Sequence, residues 1–118
     1  MWSKITEEFH NLCTRENRPG LIAAAPFGEI RLIPEQNSYL RGKLARCSLS
    51  PENVTALSLG LAYRPEEVEV IPDRWVGKNP PESRWNEYAR AYGELNRALN
   101  RVSRALAETF HGVAEGAT

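Results

Sequence analysis

With 118 residues, 42% hydrophobic and 25% charged, the chain is long enough to bury one core without a metal or a disulfide. Lys plus Arg and Asp plus Glu balance at 15 each, so no global field draws it to nucleic acid or to an anionic membrane, and nucleic acid is not expected as a partner of this chain alone. The charged start (Lys4, Glu7, Glu8) does not read as a secretory leader and no apolar run approaches the ~20 residues of a membrane helix, so the expected place is the cytoplasm, with Cys13 and Cys47 as free thiols.

The first predicted element is a helix capped by Ser3, with Glu7 and Glu8 suited to its first turns. Ile5, Phe9, Leu12 and Cys13 fall at i, i+4, i+7 and i+8, one apolar stripe. Pro19-Gly20 ends the segment, and the apolar run Leu21 to Ala25 before Pro26 suits a strand covered on both faces. Glu29 to Ile33 reads as a short extended piece. A helix starts at Pro34-Glu35, with Tyr39, Leu40 and Leu44 facing inward, and Ser50 to Asn53 reads as a turn.

Val54 to Tyr63 is the clearest strand. Thr55, Leu57, Leu59, Leu61 and Tyr63 make a bulky face; Val54, Ala56, Ser58, Gly60 and Ala62 make a mostly small one. Such a face lets either a packed helix or a flat ligand approach the backbone. Arg64 to Pro81 reads as loop, with a brief strand at Val68 and Val70 and Trp75 pinning the loop to the body.

Ser83 can cap a long last helix over about 83–110. Trp85, Tyr88, Tyr92, Leu95, Leu99, Val102 and Leu106 are spaced alternately by three and four, a heptad seam. Ala89, Ala98 and Ala105 widen it enough to pack on a sheet, and the outer face carries Arg84, Glu87, Arg90, Glu94, Arg97, Arg101, Arg104 and Glu108. His111 suits the C-terminal end of the helix dipole. At 1.5 Å per residue the helix is about 40 Å long, against about 30 Å for a compact domain of this size. That excess predicts an overhang, a kink near Gly93, or a partner on the seam: a second copy or a further segment, held through Tyr88, Tyr92, Leu95, Leu99, Val102 and Leu106. Together these elements predict an α/β fold in one domain over 1–118, a small central sheet with helices packed on it and a long C-terminal amphipathic helix.

No close-spaced Cys or His pair suggests zinc, and no phosphate loop, nucleophile elbow or zinc-protease motif is present. No residue is assigned a catalytic role. Three stretches nevertheless resemble the N-terminal part of the epoxyqueuosine reductase-like iron–sulfur proteins: the first helix running into Leu21 to Pro26; Thr55-Ala56-Leu57-Ser58-Leu59-Gly60-Leu61 with the following Ala62-Tyr63-Arg64-Pro65-Glu66-Glu67-Val68; and Arg84-Trp85-Asn86-Glu87-Tyr88-Ala89-Arg90-Ala91-Tyr92. In that family this region contributes one side of a cobalamin site. A following ferredoxin-like segment completes the site and carries the cysteines of two [4Fe–4S] clusters. The resemblance therefore implies cobalamin against Ser58, Gly60, Tyr88 and Arg90, in a module inactive alone. Two cysteines cannot hold a cluster that takes four thiolates. The family's Tyr-Ala-Arg-Gly-x-Asp-Tyr-His pattern is matched at Tyr88-Ala89-Arg90 only; Gly93 stands at the Asp and Leu95 at the His, which argues against queuosine chemistry. From the residues alone, the competing expectation is a small interaction protein that self-associates through the heptad seam.

Overall fold

A computed structural model describes residues 1–68 and 82–114, without the side chains of 68 and 82–85. Its order is α1 (Trp2–Glu16), β1 (Gly20–Pro26), a 3-10 turn (Phe27–Glu29), α2 (Pro34–Arg46), a second 3-10 turn (Pro51–Asn53), β2 (Thr55–Leu61), the short α3 (Pro65–Val68) and α4 (Glu82–Phe110). The fold is mixed α/β, with β1 and β2 forming a two-stranded antiparallel sheet and α4 as the long C-terminal helix. The chain divides into two compact units: Met1–Leu21 with Gly60–Thr118, and Ile22–Leu59.

In the first unit α1 packs on α4. The apolar stripe of α1 supplies Phe9, Leu12 and Cys13 to the core, and α4 supplies Ala91, Ala98, Val102 and Leu106. The predicted seam is thus only partly the packed face. Val102 and Leu106 are buried, but alanines take the place of Tyr92, which stays 44% exposed, and Leu95 and Leu99 are half-buried. Small side chains let two helix backbones come close, so Ala91 and Ala98 are buried with Val102 and Leu106, while Ala89 is exposed and Ala105 half-buried. α4 runs through Gly93 as one helix of 29 residues, about 43 Å by its rise.

Among the described glycines of this unit, Gly20 has no room for a side chain unless its neighbours shift. A Cβ there would lie 2.7 Å from Cys13 Sγ, 2.8 Å from Phe9 Cζ and 2.9 Å from the Gly60 carbonyl oxygen. Here α1 meets the start of β1, and the backbone amide of Ala62 donates to Pro19 O at 2.8 Å beside it. Gly60, by contrast, has room: its Cβ would meet only Leu21 O, at 4.0 Å.

The second unit is held differently. Phe27 is its buried hydrophobic residue among those described, and α2 buries none. The Phe27 amide donates to Val54 O at 3.1 Å, and the Arg41 guanidinium lies 5.7 Å from the Phe27 ring centroid. Pro34 opens α2 at the first helical position, where its missing N–H costs nothing. The Glu52 carboxylate accepts from the Ser50 hydroxyl in the second 3-10 turn, which holds its acid strength above that of an ordinary glutamate.

Several expectations are corrected. Neither strand has a fully buried residue, and Leu21 is 82% exposed, so β1 is not covered on both faces. An apolar run made mostly of alanine reads as buried because it is uncharged, yet leaving alanine in water costs little. Tyr39 is 53% exposed rather than inward. Glu29 belongs to a 3-10 turn, while Ile30 and Ile33 of that piece have extended backbones. Helix α1 starts at Trp2 and α4 at Glu82, so Ser3 and Ser83 sit inside their helices rather than capping them. Val68 ends α3 instead of forming a strand. Val70 and Trp75, and the side chain of Trp85, lie outside the described residues.

Three helices end in one way that the sequence reading did not foresee. Asn17, Ser48 and His111 each take a left-handed backbone, φ 54°, 59° and 56°. Arg18 N–H then reaches back to Cys13 O (3.1 Å), Leu49 N–H to Leu44 O (2.9 Å) and Gly112 N–H to Ala107 O (2.7 Å). These are the back-bonds that satisfy orphan carbonyls at a helix end. His111 therefore caps by its backbone, with a non-glycine residue where glycine is usual.

Candidate functional site

The densest polar cluster among the described residues grows out of the end of α1. Because Asn17 turns left-handed, Arg18 is thrown back toward the body of the first unit, and it is 4% exposed. Its guanidinium grips the Glu67 carboxylate with both prongs, Nη1 to Oε1 at 2.6 Å and Nη2 to Oε2 at 3.0 Å. Nη1 also donates to Ala62 O at 3.3 Å. The two side chains are 1% and 9% exposed, so this is a buried, forked ion pair.

Glu67 stands in the first turn of α3, after Pro65 at the first helical position. The backbone N–H of Arg64 donates to Glu67 Oε1 at 2.7 Å. A glutamate at the third helical position reaching back to the capping residue is half of a capping box. The same carboxylate thus closes a local turn and takes a long-range partner. Arg64 completes the join by donating Nη2 to Glu16 O (2.9 Å) and Nε to Asn17 O (3.3 Å), the otherwise unpaired carbonyls at the end of α1. The Glu16 carboxylate is in turn forked by Arg101 of α4, at 2.9 and 2.7 Å.

These contacts fix the protonation states. The Arg18 guanidinium, then the Arg64 amide, hold the Glu67 carboxyl below the usual glutamate range against the opposing effect of burial. Arg101 does the same for Glu16, and Glu16 raises the Arg101 guanidinium further. A general acid or base works best with a pKa near the operating pH, so neither carboxylate is suited to that work. Burial pushes the Tyr63 phenol up, helped by the nearby Tyr88 and Tyr92, and pushes the Cys13 thiol up, which makes it a poor nucleophile. Among the described residues the buried side-chain atoms Arg18 Nε and Asn100 Oδ1 have no hydrogen-bond partner. Among the described residues no group of His, Cys, Asp and Glu could hold a metal ion, and no helix is long and apolar enough to cross a membrane.

The residues implied by resemblance are placed as follows. Ser58 and Gly60 are both exposed on β2, two apart and hence on one face. Tyr88 is half-buried and stacks on Tyr92, with centroids 6.4 Å apart and planes 20° apart. Arg90 is exposed on α4. Tyr88 and Arg90 are two residues apart on a helix, so their side chains leave it in different directions and do not face one ligand together. The partner surface is also reduced, because Val102 and Leu106 are spent on the core.

The Arg18–Glu67 pair was missed by sequence reading. Pro65-Glu66-Glu67 behind Arg64 is a legible helix start, with proline first and acids in the first turn. Nothing local to Arg18 marks it as buried, since a lone arginine after a helix defaults to solvent. Set against known proteins, the chain matches no family model, no curated protein and no solved structure.

Proposed function

We propose that the chain is the cobalamin-site-forming N-terminal module of an epoxyqueuosine reductase-like iron–sulfur protein, working in the cytoplasm and not catalytically complete by itself. The supporting observation is the open small face of β2. Ser58 and Gly60 point to solvent, and beyond the Gly60 Cα there is only Leu21 O at 4.0 Å. A bare glycine beside a short hydroxyl leaves a strand to which a flat macrocycle with amide arms can come close. The three stretches of likeness lie, in chain order, on α1 into β1, on β2 into α3, and on α4.

On this reading Ser58 and Gly60 would form a wall of the site on β2, and Tyr88 and Arg90, which leave α4 in different directions, would not both face one ligand. When bound, the corrinoid supplies low-potential cobalt chemistry. This chain's residues would orient it and shield one face from water. The [4Fe–4S] centres do not fit this chain, since Cys13 is buried and Cys47 exposed and four thiolates are needed. They would belong to a ferredoxin-like segment beyond it or to a partner.

The test is to isolate the native product from its source cells and measure intact mass, cobalt and iron. Cobalt with iron, in a mass above 13.3 kDa or with a cluster-bearing partner, is the expected result. A 13.3 kDa product with neither metal and no such partner overturns the proposal. Tight binding of hydroxocobalamin by the isolated chain would overturn the half-site idea in particular.

One observation favours a second reading, a protein that self-associates. After α1 has docked, Tyr92 is exposed and Tyr88, Leu95 and Leu99 remain half-exposed, so part of the seam is unspent. A concentration-dependent dimer that Tyr92→Asp weakens is expected on that reading. A chain that stays monomeric at all concentrations removes it.

A further inference from the structure

We propose that the Arg18–Glu67 ion pair is a clasp, a charge lock that closes the strap Ala62–Glu67 onto the end of α1 and can open while α1 and α4 stay packed. The geometry sets two jobs on one carboxylate. Glu67 Oε1 accepts from the Arg64 amide and so makes the first turn of α3, and both its oxygens accept the Arg18 fork. The turn presents the carboxylate to Arg18 only when it is formed, and Arg18 holds it only when the turn is docked. Local folding of the strap and its docking are therefore one event.

The other side-chain hydrogen bonds between the strap and the end of α1 run from Arg18 Nη1 to Ala62 O and from Arg64 to Glu16 O and Asn17 O. The apolar core of the unit lies elsewhere, in Phe9, Leu12, Ala98, Val102 and Leu106. An ion pair removed from water adds little net stability, because desolvation offsets most of the attraction, but it penalises any arrangement that leaves one charge unpaired. Such a pair acts on which conformation is held more than on how strongly the whole chain folds. Arg18 gives three hydrogen bonds through Nη1 and Nη2, to Glu67 and Ala62 O, and its buried Nε has no partner.

The experiment is amide hydrogen exchange on the intact chain with two variants. Glu67→Gln keeps an acceptor for the Arg64 amide but removes the charge. Arg18→Lys keeps a charge but removes the fork. Exchange at the Arg64 and Glu67 amides should rise by roughly ten- to a hundredfold in both, the range for losing a charged hydrogen-bond partner, with the Phe9 and Val102 amides nearly unchanged. A rise of equal size at all four amides makes the pair an ordinary part of the global fold and overturns the clasp, and so does no rise at Arg64 and Glu67. If Glu67→Gln fails to fold, Arg18→Lys decides on the same readout.

Discussion

The two compact units solve the problem of folding in opposite ways. The first has a helix–helix core with Phe9 and Val102 almost wholly out of water, and a polar network at the end of α1 whose carboxylates are held charged. The second buries only Phe27 among its described hydrophobic residues, and leaves Ile30, Ile33, Tyr39 and Leu57 exposed. Its α2 is defined by its ends, with Pro34 at the start and the left-handed Ser48 at the finish. The contrast teaches that compactness along a chain need not mean equal depth of core. A unit with one buried aromatic ring draws its order from strand pairing and from turns and caps, each cap worth about 1 kcal/mol, and is the easier to open.

The largest expected effect comes from cutting each core at its ring. Phe9→Ala should destabilise the first unit by about 3–5 kcal/mol, the usual range for a fully buried phenylalanine, and should lower the melting temperature of the whole chain. Phe27→Ala should cost less, and amide exchange should quicken mainly over residues 22–59. Equal losses over both regions after Phe27→Ala would mean that the second unit has no stability of its own to lose.

Acid should separate the units next. Glu67 and Glu16 titrate below the ordinary 4.5 in the folded chain. Their stabilisation is complete above the unfolded value and is lost as the pH falls through the lowered folded values. In the second unit Glu52 is lowered as well, but it is fully exposed and bonded only within its own turn. Exchange followed from pH 6 downward should therefore show the amides of Arg18, Arg64 and Glu67 losing protection below 4.5 more steeply than those around Asn53. Parallel losses would break the contrast.

The smallest effect probes the caps. Serine is strained in a left-handed backbone, so Ser48→Gly should stabilise α2 by about 1 kcal/mol, whereas Asn17→Gly should change little because asparagine tolerates that region. A thermal melt of each variant checks the order. A loss of stability on Ser48→Gly would show that the Ser48 side chain, and not its backbone, holds the end of α2.

Read alone, the sequence determined the local elements well wherever period and punctuation agreed. The stripe of Phe9, Leu12 and Cys13, the strand at Thr55–Leu61, the turn at Pro51–Asn53 and the long helix to Phe110 are all written in spacing, because a helix repeats every 3.6 residues and a strand every two. Only the tertiary structure decided which part of each apolar stripe would be spent. It buried Ala91 and Ala98 rather than Tyr92, left Leu21 in water, and gave the tight glycine role to Gly20 rather than Gly60. It also decided that Arg18 would be buried, since its partner lies 49 residues away at Glu67 and no local pattern records a pairing at that range. The physical reason is common to these cases. Periodicity reports which side of an element is uncharged, whereas burial depends on which neighbour comes close enough to exclude water, and that is a property of the packed chain.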